Sequence, residues 1–245
     1  MEIIYIILLI SAAAPVIGSL LGVLKRPSNI MMYNMLAFAA GVMLSISFLE
    51  LIPESIEFSS IWLCCLGIII GAAIMYAVDK LIPHFHPELA SQEQGCHLKR
   101  TAVYLLLGIF LHNFPEGIAI AIGGFSSAKL SLTIAIAIAI HDIPEGICTS
   151  APYYYCTKKR WKSFFLSSLT SIPTVGGFLL AHFLLRGLPF PVIGVIMAAT
   201  AGLMIYIAGD ELIPCSCNKN LKHWSHSTIF SLITGVVSVI LLGLL

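Results

Sequence analysis

Charged residues are scarce in this chain: they make up 10% of its 245 residues, against roughly 25% in an ordinary soluble domain. A chain with so few charges is neither a disordered segment nor a basic surface for binding nucleic acid. Hydrophobic residues make up 58% of the chain, and its mean hydropathy is +0.97. This composition excludes a soluble enzyme and predicts an all-α polytopic membrane protein.

Long polar segments are also missing. Eight stretches with few or no charges follow one another, and each is close to the ~20 residues that cross ~30 Å of hydrocarbon as a helix. The residues between them are too few for a separate soluble domain, so we predict one transmembrane domain over residues 1–245. The predicted spans are 3–24, 30–53, 61–83, 102–123, 130–152, 163–185, 188–214 and 227–245.

Lysine and arginine are distributed unevenly between the two ends of these spans. With the N-terminus outside, the inner side holds 11 of the 13 basic residues, and only Lys129 and Arg186 lie on the outer side. Basic residues concentrate on the cytoplasmic side of membrane proteins. We therefore predict a protein of the plasma membrane with both termini outside.

The second span is repeated in the seventh. Ala-Gly-x-Met at 40–43, followed by Glu-Leu-Ile-Pro at 50–53, recurs at 201–204 and 211–214 with a constant offset of 161 residues. These two spans run in opposite directions across the membrane, so the repeat is inverted. Inverted repeats are typical of secondary transporters, which bind their substrate near the bilayer midplane.

A second repeat carries the chemistry. His-Asn-Phe-Pro-Glu-Gly at 112–117 recurs as His-Asp-Ile-Pro-Glu-Gly at 141–146, and both motifs lie at the middle of their spans. Residues i and i+4 share one helix face, so each His faces the same way as its Glu. Pro115 and Pro144 also leave a main-chain carbonyl without its helical hydrogen bond. Two antiparallel helices can thus gather imidazole, carboxylate and amide groups at one depth.

No lysine or arginine lies at the depth of the acidic residues in these motifs. Glu116, Asp142 and Glu145 lie deep in the membrane, whereas every Lys and Arg lies in a loop or at the end of a span. An unpaired carboxylate at the bilayer centre costs at least ~3 kcal/mol. Histidine, carboxylate and amide ligands suit Zn²⁺ and tolerate Fe²⁺, Mn²⁺, Co²⁺ or Cd²⁺, whereas Ca²⁺ and Mg²⁺ prefer oxygen alone.

Two other classes of protein are alternatives to a metal transporter. An intramembrane metalloprotease needs His-Glu-x-x-His, which the chain lacks, and no Gly-x-x-x-x-Gly-Lys motif is present to bind ATP. A carrier that uses the carboxylates for protons stays open, although it leaves the two histidines unexplained. We therefore expect no enzyme activity and no prosthetic group. The expected partners are a divalent metal and the lipid bilayer, and assembly as a homodimer is left open.

The paired motifs resemble those of the ZIP (Zrt-, Irt-like) divalent metal transporters, in particular the ZupT/GufA-like branch. The segment Phe-Ala-Ala-Gly-Val-Met-Leu at 38–44 and the Glu-Leu-Ile-Pro ending at 50–53 agree as well. The resemblance implies eight helices in a 3+2+3 arrangement, with helices 4 and 5 between two inverted repeats, and zinc uptake into the cytoplasm.

The resemblance also implies which residues bind the transported metal. His141 is the least secure of these, because its position varies in the family, and Met43 is a neighbour contributed by helix 2. The implied set is Met43, His112, Asn113, Glu116, His141, Asp142 and Glu145.

One position departs from the family pattern. Members with two metals often carry a Glu just before a proline on helix 6, where this chain has Ile172 before Pro173, or Ser171 if the match shifts by one residue; neither side chain is a charged ligand. Two divalent cations among three carboxylates would repel each other strongly at ~4 Å. We therefore predict one tightly bound metal, and expect Ile172→Glu to increase the occupancy of a second position.

The predicted topology can be tested by labelling single cysteines from either side of the membrane. Residue 245 and loop 54–60 are expected to react from outside, and loops 84–101 and 153–162 from inside, because basic residues hold the latter in the cytoplasm. A C-terminus that reacts only from inside would mean an odd number of spans, and would remove the inverted repeat.

Overall fold

The computed structural model describes residues 2–25, 27–81, 98–216 and 226–244, and nearly all of them are helical. No strand occurs in these ranges, which confirms the all-α prediction. The eight helices of the described residues are α1 Glu2–Leu24, α2 Asn29–Phe58, α3 Ile61–Leu81, α4 Leu98–Ser126, α5 Ala128–Thr157, α6 Arg160–Leu185, α7 Phe190–Cys215 and α8 His226–Leu242.

Six of these helices are long and apolar enough to cross a membrane, namely α1, α2, α3, α5, α6 and α7. Large apolar side chains on their outer faces are exposed, as with Ile69 at 65% and Phe183 at 67%. A soluble protein would bury such side chains, whereas lipid solvates them. The chain is therefore an integral membrane protein. The full count of eight spans stays a prediction, since α8 has only 17 residues.

Helices α2 and α7 each contain one π-helical turn, just before the Ile-Pro that ends the sequence repeat. In α2 the π-helical turn Ile46–Leu51 precedes Pro53, and in α7 the π-helical turn Ala208–Leu212 precedes Pro214. A proline ring clashes with the carbonyl four residues earlier in a regular helix, and a widened turn relieves that clash. As a result α2 continues to Phe58. The predicted loop 54–60 is wrong over 54–58, and Ser59 and Ser60 alone link α2 to α3.

The helices pack in four close pairs: α1 on α5, α6 on α4, α2 on α8 and α7 on α3. Helices α4 and α5 also pack on each other. In addition, α2 contacts α5, and α7 contacts α4. The chain therefore places its two motif helices in the interior of the bundle, where their polar groups are shielded from lipid.

Glycine allows the backbones of these pairs to meet. A Cβ atom on Gly41 of α2 would overlap the Leu232 carbonyl of α8, and one on Gly202 of α7 would overlap the Ile68 carbonyl of α3. Gly202 follows Gly41 by the same 161 residues that separate the sequence repeats. The two contacts are therefore counterparts, although the 3+2+3 arrangement itself stays a prediction.

The motif helices show the same correspondence. A Cβ atom on Gly117 of α4 would overlap the Thr174 carbonyl of α6, and one on Gly146 of α5 would lie 2.5 Å from the Pro15 carbonyl of α1. Gly117 and Gly146 end the two six-residue motifs. In lipid the hydrophobic effect does not drive helices together. Small residues at such crossings instead let the backbones approach closely, so that van der Waals packing stabilises the pair. The motif helices are thus held from either side at the level of their polar residues.

Neighbouring glycines of α6 provide a matched test of this packing. A Cβ atom on Gly177 would overlap the Phe114 carbonyl of α4, whereas one on Gly176 would meet nothing within 4 Å. Gly177→Ala should destabilise the protein by about 1–3 kcal/mol, measured as a lower melting temperature in detergent. Gly176→Ala should be neutral or stabilising, because alanine favours the helix. Equal melting temperatures for the two variants would contradict the packing.

Candidate metal site

A tight connection brings the two motifs together. Ser127 alone separates α4 from α5, and its Oγ accepts a hydrogen bond from the Leu130 N–H at 3.0 Å, which caps α5. Because the two helices run antiparallel from this cap, residues at similar distances before and after it lie side by side. Glu116 of α4 thereby comes to lie beside His141 of α5.

Glu116, His141 and Asp142 form a compact group of metal ligands. Their ligand atoms all lie within 4.8 Å of one another, and all three residues are buried. His141 Nε2 lies 2.9 Å from Glu116 Oε1 and 3.4 Å from Asp142 Oδ1. Imidazole nitrogen and carboxylate oxygen are the ligands that Zn²⁺ takes in open, non-structural sites.

The His141 ring is oriented by its other nitrogen. His141 Nδ1 lies 3.0 Å from the Ala137 carbonyl oxygen one turn earlier on α5. A carbonyl only accepts hydrogen bonds, so Nδ1 carries a proton and donates it. The Nε2 lone pair is then available to a metal whenever Nε2 is deprotonated, which is the usual arrangement of a metal-binding histidine.

Asp142 is buried with few partners. Its residue is 1% exposed, and neither carboxylate oxygen takes part in a hydrogen bond with the described part of the chain. Its Oδ1 lies 3.4 Å from His141 Nε2, its one ion-pair contact within the described residues. Burying a carboxylate without hydrogen bonds is costly. A cation bound between Glu116 and Asp142 would remove that cost.

Asn113 presents its oxygen rather than its nitrogen for binding. Its Nδ2 donates a 2.8 Å hydrogen bond to the Thr170 carbonyl of α6, while its buried Oδ1 has no hydrogen-bond partner within the described ranges. The amide nitrogen cannot bind a metal, so this orientation is the one a ligand needs. Thr170 lies at the turn where α6 is interrupted, between Ser168 and Ser171.

The other residues predicted to bind the metal are not part of this group of ligand atoms. Glu145 is 2% exposed, one turn beyond His141 on α5, but does not belong to the group of ligand atoms within 4.8 Å. Met43 is fully buried in α2, which packs against α5. The His112 side chain lies outside the described residues. The roles of all seven predicted residues stay predictions.

Ile172 is not where the sequence pattern suggested. Its side chain is 54% exposed on the surface of α6, whereas Thr170 and Thr174 are buried at 1% and 0%. A helix turns by about 100° per residue, so Ile172 points away when those two point inward. The expectation that Ile172→Glu would add a ligand is therefore wrong, because its carboxylate would face lipid.

A line of hydroxyl groups beside Glu145 was missed in the sequence. Thr149 Oγ1 donates to the Glu145 carbonyl at 3.0 Å and lies 2.5 Å from Ser167 Oγ of α6, which accepts from Ser19 Oγ of α1 at 2.6 Å. Single serines and threonines in apolar helices carry little signal, so only the packing shows that these three meet. They join α1, α5 and α6 one helical turn beyond Glu145.

A bundle of apolar helices that encloses imidazole and carboxylate ligands is typical of a metal transporter. Residues 82–243 match the ZIP Zinc transporter family. The chain is 40% identical over 218 residues to a zinc transporter ZupT of Salmonella paratyphi A. The aligned region covers 85% of this chain and 84% of the relative. Zinc transporters ZupT of Salmonella heidelberg and Salmonella newport are 39% identical with the same coverage.

The chain belongs to the ZIP zinc transporter family, and its similarity to the ZupT proteins extends over most of its length. It is accordingly a transporter and not an enzyme. The resemblance noted in the sequence is confirmed, as is the assignment to metal-ion transport.

Metal stoichiometry tests the ligand group directly. Equilibrium dialysis of the purified protein should find one tightly bound Zn²⁺ per chain, since two cations would repel each other among these carboxylates. Glu116→Gln and Asp142→Asn should each weaken binding by roughly 10- to 100-fold, the effect of losing one charged interaction. Ile172→Glu should leave the stoichiometry at one. Two equally tight metals in the unmodified protein would contradict this prediction.

Proposed function

We propose that this protein carries Zn²⁺ into the cytoplasm by alternating access, through a site built on Glu116, His141 and Asp142. The observation that carries the proposal is the enclosure of these three ligands, within 4.8 Å of one another, on the two interior helices. Fe²⁺, Mn²⁺, Co²⁺ and Cd²⁺ fit the same ligands and are expected as weaker or alternative substrates.

The charges of this group favour a divalent cation. Two carboxylates and a neutral imidazole neutralise one M²⁺ ion, so the loaded site carries little net charge in a medium of low dielectric. Metal ligands must be deprotonated, so any proton on His141 Nε2 leaves when the metal binds. The contact of Nε2 with Glu116 at 2.9 Å then becomes a contact of both groups with the metal.

The metal can be released only if the protein does not fill all of its coordination positions. A structural zinc site has four protein ligands and holds its ion, whereas sites that exchange ligands keep a position open. Three ligands within reach, with Asn113 and Glu145 nearby, fit a site that binds and releases. We infer a moderate affinity from this arrangement.

The packing supports a division of the helices into two groups. The motif helices α4 and α5 pack closely with α6 and α1, whereas α2 pairs with α8 and α3 with α7. The matched glycine contacts favour the 3+2+3 inverted repeat, because each glycine contact has its counterpart within the same group of helices. A shift of the site-bearing group against the other would open the site first outward and then inward.

The remaining parts of the proposal concern location and assembly. The distribution of basic residues favours the plasma membrane, with both termini outside and uptake directed to the cytoplasm. Assembly as a homodimer stays an open part of the proposal.

Uptake of ⁶⁵Zn²⁺ by proteoliposomes tests this function. His112→Ala, Glu116→Ala and Asp142→Ala should each abolish uptake but leave the protein inserted, since the apolar helices still span the membrane without these groups.

Two variants away from the site serve as controls. Glu57→Ala removes an exposed carboxylate of α2 and His226→Ala an exposed imidazole at the start of α8, and both should transport normally. Normal uptake by all three site variants would refute the site. Proton movement without ⁶⁵Zn²⁺ uptake in the unmodified protein would favour the proton-coupled carrier of another solute.

A further inference from the structure

A cavity of about 190 Å³ lies at the end of the bundle opposite to most of the basic residues. It is formed by α1, the connection from α4 to α5, and the end of α6. Its lining includes Ile4, Gly124, Ala128, Ser131, His182 and Arg186. None of the lining residues is acidic, and the transport site does not use any of them.

His182 is held rigidly at the wall of this cavity. The residue is 6% exposed, and its ring stacks on Phe178 at 5.6 Å with an angle of 5°, while Tyr5 contacts it edge-on at 5.9 Å. Its Nδ1 has no hydrogen-bond partner within the described part of the chain. A buried polar nitrogen without a partner is uncommon in folded proteins, and the His182 side chain is part of the cavity lining.

Two further groups at this cavity attract anions. Arg186 follows His182 by one helical turn and is exposed, so its guanidinium can reach a ligand in the cavity. Ala128 begins the 30-residue helix α5; Ser127 Oγ caps the Leu130 N–H, whereas the N–H groups of Ala128 and Lys129 have no acceptor within the helix. Helix N-termini bind phosphate through these groups and through the helix dipole. Guanidinium, imidazole and helix N-terminus thus converge on one space.

An apolar cavity of about 400 Å³ adjoins the first and shares Ile7 and Ala128 with it. It follows α1 and α5 toward Leu242 at the end of α8, and Lys129 is the one charged residue that lines it. An acyl chain would fit such a lining, whereas an inorganic anion would gain nothing from it. Lys129 and Arg186, the two basic residues assigned to the outer side, both lie at this corner.

We propose that the two cavities together bind one phospholipid of the outer leaflet, with its phosphate between Arg186, His182 and the start of α5 and an acyl chain beside Ile6 and Ile10. Arginine forms paired, charge-assisted hydrogen bonds with phosphate. The lipid would connect α1, α5 and α6 at their outer ends.

The test uses the full-length protein in a neutral detergent, with dioctanoylphosphatidylglycerol as the lipid. Native mass spectrometry should detect one retained lipid, and the melting temperature should rise with lipid concentration. Arg186→Gln and His182→Phe should each weaken lipid binding at least about tenfold, the loss of one charge-assisted hydrogen bond. Phenylalanine keeps the stacking on Phe178, so its effect reports the missing nitrogen.

Controls separate this site from other effects of charge and of lipid. Arg160→Gln removes an exposed arginine at the opposite end of the same helix and should bind lipid normally. Dioctanoylglycerol, which lacks the phosphate, should bind at least about tenfold more weakly than the phospholipid. Unchanged lipid binding by both Arg186→Gln and His182→Phe would overturn the site, and an equal stabilisation by inorganic phosphate would overturn the assignment to a lipid.

Discussion

The enclosure of Glu116, His141 and Asp142 among apolar helices is the constraint on which the remaining structure depends. Carboxylates cannot be left bare in hydrocarbon, and no lysine or arginine of the sequence lies at their depth. The protein places them on two interior helices, shields them with the surrounding bundle, and sets His141 against both Glu116 and Asp142. The groups that are costly to bury are also those with the chemistry to bind a divalent cation.

The backbones of neighbouring helices contact each other directly around these residues, so few bulky side chains are needed to enclose them. Glycines on α4 and α5 allow α6 and α1 to approach at the level of the site, so carbonyl groups such as that of Thr170 come within reach of Asn113. Glycine contacts of the same kind join α2 to α8 and α7 to α3. Small residues at these interfaces let the backbones within each pair of helices approach closely.

Polar groups in the bundle fall into two sets with different partners. The interior set consists mainly of acceptors, whereas His182, Arg186 and the start of α5 are donors grouped at one end of the molecule. In the proposed function, this separation leaves the interior carboxylates available to the metal. In the proposed lipid site, the same donors would give the exposed end of α6 a polar contact with the membrane surface.

The sequence by itself determined the class of fold and indicated the two helices that carry the ligand group. Apolar stretches of membrane length, and two six-residue motifs at the middle of their spans, follow from composition and spacing alone, since lipid permits little besides helices. Only the tertiary structure decided which side chains meet. It placed His141, whose position varies in the family, at the centre of the ligand group, and turned Ile172 outward. It also extended α2 through a widened turn past Pro53. These outcomes depend on how each helix is oriented about its own axis and on contacts between residues far apart in the chain, such as Asn113 with Thr170. The local sequence pattern carries no information on either.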